Sequence, residues 1–281
     1  TFFSYTLLGD KVIYENPLEL IGNTPVVKYQ DIYIKYEGYN LTNSIKDRAA
    51  LKITKEYLNP LKTLVVFSSG NFGISMAAVC AYFKQKLIVI LPKNEEKKKQ
   101  IIESFGAKVL EVDANNMKDT TKYLKSFKTD EFIIVNQFKS LYNPLGYIEL
   151  VKEIVRDFKK LDYLILGTGS FGTSYMLSRC LKKVFPKIKV IGVTSKKDNR
   201  IDGVCSNIKT GLVQRFKEET LEVTEMDAIN TAKELLRSGY NVGLSTAANI
   251  YVAEKIKEEN PNAIILVIGH DNAFKYSDRL V

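Results

Sequence analysis

A chain of 281 residues with 45% hydrophobic content is long enough to bury the core of one large domain or two moderate ones. Its formal charge of +9 comes from lysines spread along the chain, densest in "KNEEKKKQ" and "KVFPKIKV". No basic block is interleaved with aromatics, which excludes nucleic acid as a partner, whereas the excess charge favours a small anionic ligand. No apolar run reaches the length of a membrane span, and "TFFSYTLLGDK" lacks the basic start and small-residue cleavage site of a signal peptide. Cys80, Cys180 and Cys205 stand far apart and match no zinc spacing, which fits a reducing compartment. The expectation is a soluble, cytoplasmic protein with neither a membrane contact nor a metal site.

In chain order, short β-branched runs alternate with helical patterns. Strands are expected at "TLVVF" (63–67), "KLIVIL" (86–91), "AKVLEVD" (107–113), "EFIIVNQ" (131–137), "DYLILG" (162–167), "KVIGVT" (189–194) and "AIILVIG" (263–269). Amphipathic stretches such as "EEKKKQIIESFG", "NPLGYIELVKEIVRDF" and "DAINTAKELLRSG" lie between them. Runs apolar on both faces, separated by helices, argue for parallel strands covered on both sides. The expected architecture is a two-lobed α/β fold, with a smaller lobe over 40–142 and a larger one formed by 1–39 with 143–281. The cleft between them, at strand C-termini, is where such folds bind ligands.

Three strand-to-helix turns carry polar groups. In "LVVFSSGNFGISMAAVCAYF", Ser68, Ser69, Gly70 and Asn71 precede an apolar helix; glycine permits close approach to a ligand and the helix start offers donors to an anion. The plainer reading is a capping turn, with Ser69 or Asn71 as the cap. In "YLILGTGSFGTSYMLSRC", Gly167, Gly169 and Gly172 form a loose G-x-G-x-x-G. No carboxylate follows as a ribose partner and no Walker lysine is present, so one phosphate fits better than a dinucleotide. In "GYNVGLSTAANIYVAEKI", Ser245 is either an N-cap or a neutral hydroxyl presented to a ring nitrogen. A fourth feature is Lys46 in "GYNLTNSIKDRAALK", at the mouth of a helix, where the dipole disfavours a cation. It reads either as a solvated charge or as an amine held for chemistry.

Together, "LIGNTPVVKY", "NLTNSIKDR", "SSGNFG", "NQF…NP", "LGTGSFGT" and "GLSTA" resemble, in order and spacing, the cysteine synthase and cystathionine β-synthase family of fold type II pyridoxal-phosphate enzymes. The resemblance runs from Asn16 to Tyr276. It implies pyridoxal 5'-phosphate as cofactor, a small amino-acid substrate and a homodimer. By resemblance Lys46 carries the Schiff base and moves the α-proton. Gly169, Ser170, Phe171, Gly172 and Thr173 form the phosphate loop, with Phe171 in place of a family glycine. Asn71 meets the phenolic oxygen, and Ser245 the pyridine nitrogen. A hydroxyl there leaves that nitrogen largely unprotonated, which favours β-elimination. Ser68, Ser69, Phe72 and Gln137 fall in the pocket for the substrate carboxylate, with Phe72 replacing a threonine.

One departure bears on the reaction. Where the family reads Gln-Gly-Ile-Gly, this chain has Asp202-Gly203-Val204 in "NRIDGVCSN". Asp202 is either a solvated turn residue or a base beside the β-carbon. β-Elimination from cysteine gives sulfide and an α-aminoacrylate, and water is a poor enough nucleophile to need a base. The expected activity is therefore release of hydrogen sulfide from L-cysteine with L-serine as product. Cysteine synthesis from O-acetylserine and sulfide, and a non-catalytic ligand sensor, are the alternatives. Thr224 and Asp227 read as a capping box, His270 as wall or rim of the cleft, and Cys205 as a thiol near the site.

Overall fold

The computed structural model describes residues 13–113, 123–124, 126–127, 130–204 and 211–280. Two sheets organise it. A six-stranded sheet runs β1 (Val26–Tyr29), β2 (Ile32–Tyr36), β10 (Ile265–Gly269), β7 (Tyr163–Gly167), β8 (Lys189–Ser195) and β9 (Glu219–Val223) across its width. A four-stranded sheet runs β5 (Lys108–Val112), β4 (Leu87–Pro92), β3 (Thr63–Phe67) and β6 (Phe132–Val135). Every pairing is parallel except the β1–β2 hairpin. All seven expected strands form: 63–67 keeps its bounds, 86–91 shifts by one residue, 189–194 gains one, and the other four are trimmed by one to three residues in total.

Three strands escape the sequence pattern, each for a physical reason. β1 and β2 turn through Gln30, which takes a left-handed φ of 48°, so the hairpin lacks an Asn-Gly signal. Within β2 the apolar run is broken by Lys35, which is fully buried. Its Nζ donates to the Thr24 carbonyl at 2.5 Å and pairs with Glu153 at 2.8 Å, so the charge is neutralised in place. β9, "ETLEV", is an edge strand whose acidic residues face outward. By contrast β7 and β10 are buried at every position, as central strands of a doubly covered sheet are.

Helices α1 (Lys46–Tyr57) and α2 (Asn71–Tyr82) pack together beside the four-stranded sheet, with α3 (Glu96–Ser104) following β4. After a short helical turn, Tyr142–Leu145, come α4 (Ile148–Asp157), α5 (Gly172–Val184), α6 (Glu225–Arg237) and α7 (Leu244–Glu259). α7 carries no amphipathic stripe because α6 covers it on one side and the six-stranded sheet on the other. Thr224 caps α6, its Oγ1 accepting from the Asp227 amide at 3.1 Å and donating to the Asp227 carboxylate at 2.6 Å. Among the described residues no helix is long and apolar enough to cross a membrane.

The consequence for function is a convergence. Strands β7 and β10 end at Gly167 and Gly269, and α1, α2, α5 and α7 all begin around the same space. Four helix N-termini and two strand C-termini thus face one cavity, the arrangement in which backbone N–H groups and dipoles favour an anion.

Candidate active site

The cavity, partly open to solvent, offers about 380 Å³ of space between the two sheets. Lys46 opens it from α1. The Ser44 hydroxyl accepts from the Lys46 amide at 3.2 Å, and the Ile45 amide donates to the His270 carbonyl at 2.8 Å, tying the helix start to the end of β10. The Lys46 side chain is partly exposed, to the cavity, while its amine sits deep among protein atoms. Burial lowers its pKa to about 8, against the opposing pull of Asp271. The neutral amine, the form that attacks a carbonyl carbon, is therefore far more populated near physiological pH than in an ordinary lysine. A solvated surface charge would show none of this.

Ser245 lies in the first turn of α7, but Gly243 takes the N-cap position. Its hydroxyl is buried and has no partner within the protein. Gly203, at φ 87°, lies opposite; a Cβ there would come within 3.6 Å of the Ser245 Oγ. A buried hydroxyl without a partner costs free energy unless a ligand completes it, so the capping reading falls and the hydroxyl is left available to a ligand.

The glycine loop before α5 is tightly cut. A Cβ on Gly169 would lie 2.4 Å from the Gly203 carbonyl oxygen, and one on Gly172 would lie 2.2 Å from the Asn143 Oδ1. Asn143 donates through Nδ2 to the Ser170 Oγ (3.0 Å) and the Gln137 carbonyl (2.7 Å), bracing the loop from behind. Ser174 adds a second buried, unpartnered hydroxyl on the cavity wall. Phe171 stands at φ 62°, in the left-handed region, with its ring buried against Leu212 and tilted on Phe216 at 5.7 Å. The bulky residue is thus accommodated by turning the ring away from the loop's inner face into an aromatic pocket.

The loop before α2 behaves differently from expectation. Gly70, not Ser69 or Asn71, takes the N-cap position, and Ser68 supplies the hydroxyl from upstream: its Oγ accepts from the Gly73 amide at 3.0 Å and the Gly70 amide at 3.2 Å. Ser69 is exposed, and its carbonyl accepts from Lys98 Nζ at 3.0 Å. Phe72 points into the hydrophobic core, where its apolar ring belongs, so its side chain is not a carboxylate contact. Gln137 is half-buried and meets Asn143 through its main chain. Asn71 does reach the cavity, held from both ends: its Nδ2 donates to Asp271 Oδ2 at 2.6 Å and its Oδ1 accepts from Lys275 Nζ at 2.8 Å.

Asp202 does not face the cavity; its neighbour Gly203 does. Its carboxylate turns to Arg200 (3.3 Å), Arg279 (3.6 Å) and Lys98 (3.9 Å), because three cations outcompete a half-dry cleft for a charge. Lys98 begins near the four-stranded sheet and Arg279 near the six-stranded one, so Asp202 bridges the two. The acid that lines the cavity is Asp271, which the sequence reading passed over. It is buried; its Oδ2 accepts from Asn71 and from the Tyr276 hydroxyl at 2.5 Å, and its Oδ1 has no partner. The signal was present: a charged residue two positions after a wholly apolar strand, at the end where α/β folds bind ligands. His270, beside it, lines the cavity with Nδ1 unpartnered, and burial together with the nearby Lys46 pushes its pKa down to about 3, so the ring is neutral. Cys205 lies outside the described residues.

A buried amine of lowered pKa, two orphan hydroxyls and a glycine cradle at helix N-termini fit an aldehyde that carries a phosphate and a ring nitrogen. The family model for pyridoxal-phosphate dependent enzymes matches residues 18–269, and the chain belongs to that family. Its relatives place it among enzymes of the cysteine synthase type. It is 32% identical to cysteine synthase B of Campylobacter jejuni over 94% of this chain and 97% of that protein. It is 28% identical to a cysteine synthase of Staphylococcus aureus over 93% and 95% of the two chains. The crystal structure of a hydrogen sulfide-producing enzyme from Fusobacterium nucleatum superposes with a TM-score of 0.88 at 28% identity, covering 94% of this chain and 100% of that one. The O-acetylserine dependent cystathionine β-synthase of Helicobacter pylori shares the fold, with a TM-score of 0.89 at 24% identity.

Proposed function

We propose that this enzyme takes L-cysteine, releases its sulfur as hydrogen sulfide and puts water in its place, giving L-serine. Bound in the cavity, pyridoxal phosphate supplies the electron sink that lets an α-proton and then a β-substituent leave. Lys46 holds the cofactor through Nζ, and the same atom takes the α-proton and returns it. The Ser245 hydroxyl meets the ring nitrogen and Asn71 the phenolic oxygen. Gly169, Ser170, Phe171, Gly172 and Thr173 cradle the phosphate, with Ser174 as a further donor. The turn Ser68, Ser69 and Phe72 receives the substrate carboxylate on the backbone amides that open α2, with Gln137 at its side; the Ser68 hydroxyl is already committed to capping.

The observation that carries the choice of acceptor is the buried carboxyl of Asp271 on the cavity wall. An anionic sulfide nucleophile meets like charge there, in surroundings where screening is weak. Neutral water meets a hydrogen-bond acceptor instead. The whole-length likeness to the hydrogen sulfide-producing enzyme supports the same reading. Cysteine synthesis from O-acetylserine and sulfide is the second reading, favoured by the identity to cysteine synthase B.

The test is to give the loaded enzyme cysteine alone, follow sulfide and identify the amino acid formed by mass. Serine in step with sulfide is the expected result. Turnover only when O-acetylserine and sulfide are supplied would replace this reading with the second.

A further inference from the structure

Lys46 and the orphan hydroxyls of Ser245 and Ser174 are absorbed by the cofactor. Two buried polar atoms on the same wall are left over: Nδ1 of His270 and Oδ1 of Asp271. Both side chains have room made for them by glycines. A Cβ on Gly167 would lie 2.8 Å from the His270 ring, and one on Gly243 would lie 2.1 Å from Asp271 Oδ1. Of the two, only Asp271 is oriented by partners: Asn71 and Tyr276 both donate to Oδ2 and leave Oδ1 free. The backbone of Asp271 is bridged to Ser44, two residues before Lys46, so the acid and the amine belong to one rigid corner.

We propose that Asp271 is the base that takes the proton of the incoming water. This inference rests on the reading above, in which water is the acceptor. Lys46 serves the α-carbon, and Asp271 serves the β-position. Once the C–S bond has broken, with its electron pair leaving on hydrosulfide, water forms a C–O bond to the β-carbon. The O–H bond breaks and its proton passes to the Asp271 carboxylate. Asp271 then gives that proton up to hydrosulfide or solvent, so cysteine and water leave as serine and hydrogen sulfide with no redox change.

The charged and titratable groups that face Asp271 come from every side: Lys46 from α1, Lys275 and Tyr276 from the C-terminal segment, Asp202 from the turn before Gly203, and His270 next in chain. Burial raises its pKa above the ordinary carboxylate range, while Lys275 and the donors from Tyr276 and Asn71 hold it back. A base tuned upward is a better proton acceptor near neutrality.

The experiment compares wild type, Asp271→Asn and Tyr276→Phe as pyridoxal-phosphate-loaded enzymes given cysteine in heavy water. Asp271→Asn is expected to keep the visible absorption of the loaded enzyme and to exchange the α-hydrogen for deuterium at close to the wild-type rate. Its serine formation is expected to fall by about 10²–10⁴-fold, the ordinary worth of one general base. Tyr276→Phe removes a donor to the carboxylate, which disfavours its charged form. The acid limb of its serine formation should therefore move to higher pH. Undiminished serine formation by Asp271→Asn overturns the assignment, as does a parallel loss of α-exchange or an unmoved limb in Tyr276→Phe. If wild type itself makes no serine from cysteine, the reading of the reaction falls first and the assignment with it.

Discussion

Phe171 sets a preference for glycine against the burial of a ring. Holding a non-glycine residue at φ 62° costs about 1–2 kcal/mol, while burying the ring against Leu212 and Phe216 returns about 1.5–3 kcal/mol. Phe171→Ala forfeits the ring and keeps the backbone cost; Phe171→Gly forfeits the ring but sheds that cost. Both variants should be less stable than wild type, with the glycine variant above the alanine one by about 1 kcal/mol in denaturant unfolding. Lys46 gives a pH prediction. With its pKa lowered to about 8, the rate of cofactor loading into apo-protein should rise with pH up to that value and level above it, followed by the growth of visible absorption. Stability of the apo-protein should also rise from pH 8 toward the unfolded lysine value, because over that window the unfolded chain binds the extra proton. The residues of this site were legible where their type was unusual for the place, as with Lys46 at a helix mouth. They were illegible where a contact decides direction. Nothing in "IDGVC" says that Asp202 turns toward Arg200, Arg279 and Lys98, and nothing in "SSGNFG" says which serine caps.

At the scale of elements, α1 matters most, since it carries Lys46. It is pinned by Arg48, whose guanidinium spans Glu37 (2.6 Å) and Glu153 (2.7 Å), all three buried. Removing one partner of a buried ionic cluster leaves the others uncompensated, so Arg48→Ala should cost about 3–5 kcal/mol in unfolding free energy. Exposed pairs behave otherwise: Asp113→Asn, which removes the carboxylate facing Lys93, should cost less than about 1 kcal/mol. The same cluster sets an acid limit. Burial alone would raise the Glu153 carboxyl, but Arg48 and Lys35 outweigh it and hold the pKa at about 2. Its stabilising contribution is thus complete above the ordinary glutamate value and is lost as pH falls from about 4.5 to 2, which acid titration of the circular dichroism signal would follow. Gly146 holds α1 from the other side; a Cβ there would stand 2.7 Å from the backbone of Arg48 and Ala49. Periodicity found the helices that pack by one face, but it could not find β2, whose buried lysine looks polar until its partners from the distant α4 are known.

For the whole molecule, alternation of strand and helix was enough to foresee a parallel α/β protein with a cleft, because apolar runs flanked by helices have few other solutions. The order of strands was not foreseeable, since it depends on long-range pairing. That order has a consequence for how the protein comes into being. The four-stranded sheet draws all its strands from residues 63–135, whereas β10 inserts between β2 and β7, the first and later parts of its own sheet. During synthesis the smaller sheet can close while later parts of the chain are still being made, but β2 and β7 must wait until β10 has emerged. The strand that completes the sheet also delivers His270 and Asp271 to the cavity. A ribosome-bound chain therefore carries the lysine long before it carries the acid, and the enzyme acquires its chemistry only at the moment its longest-range pairing is made.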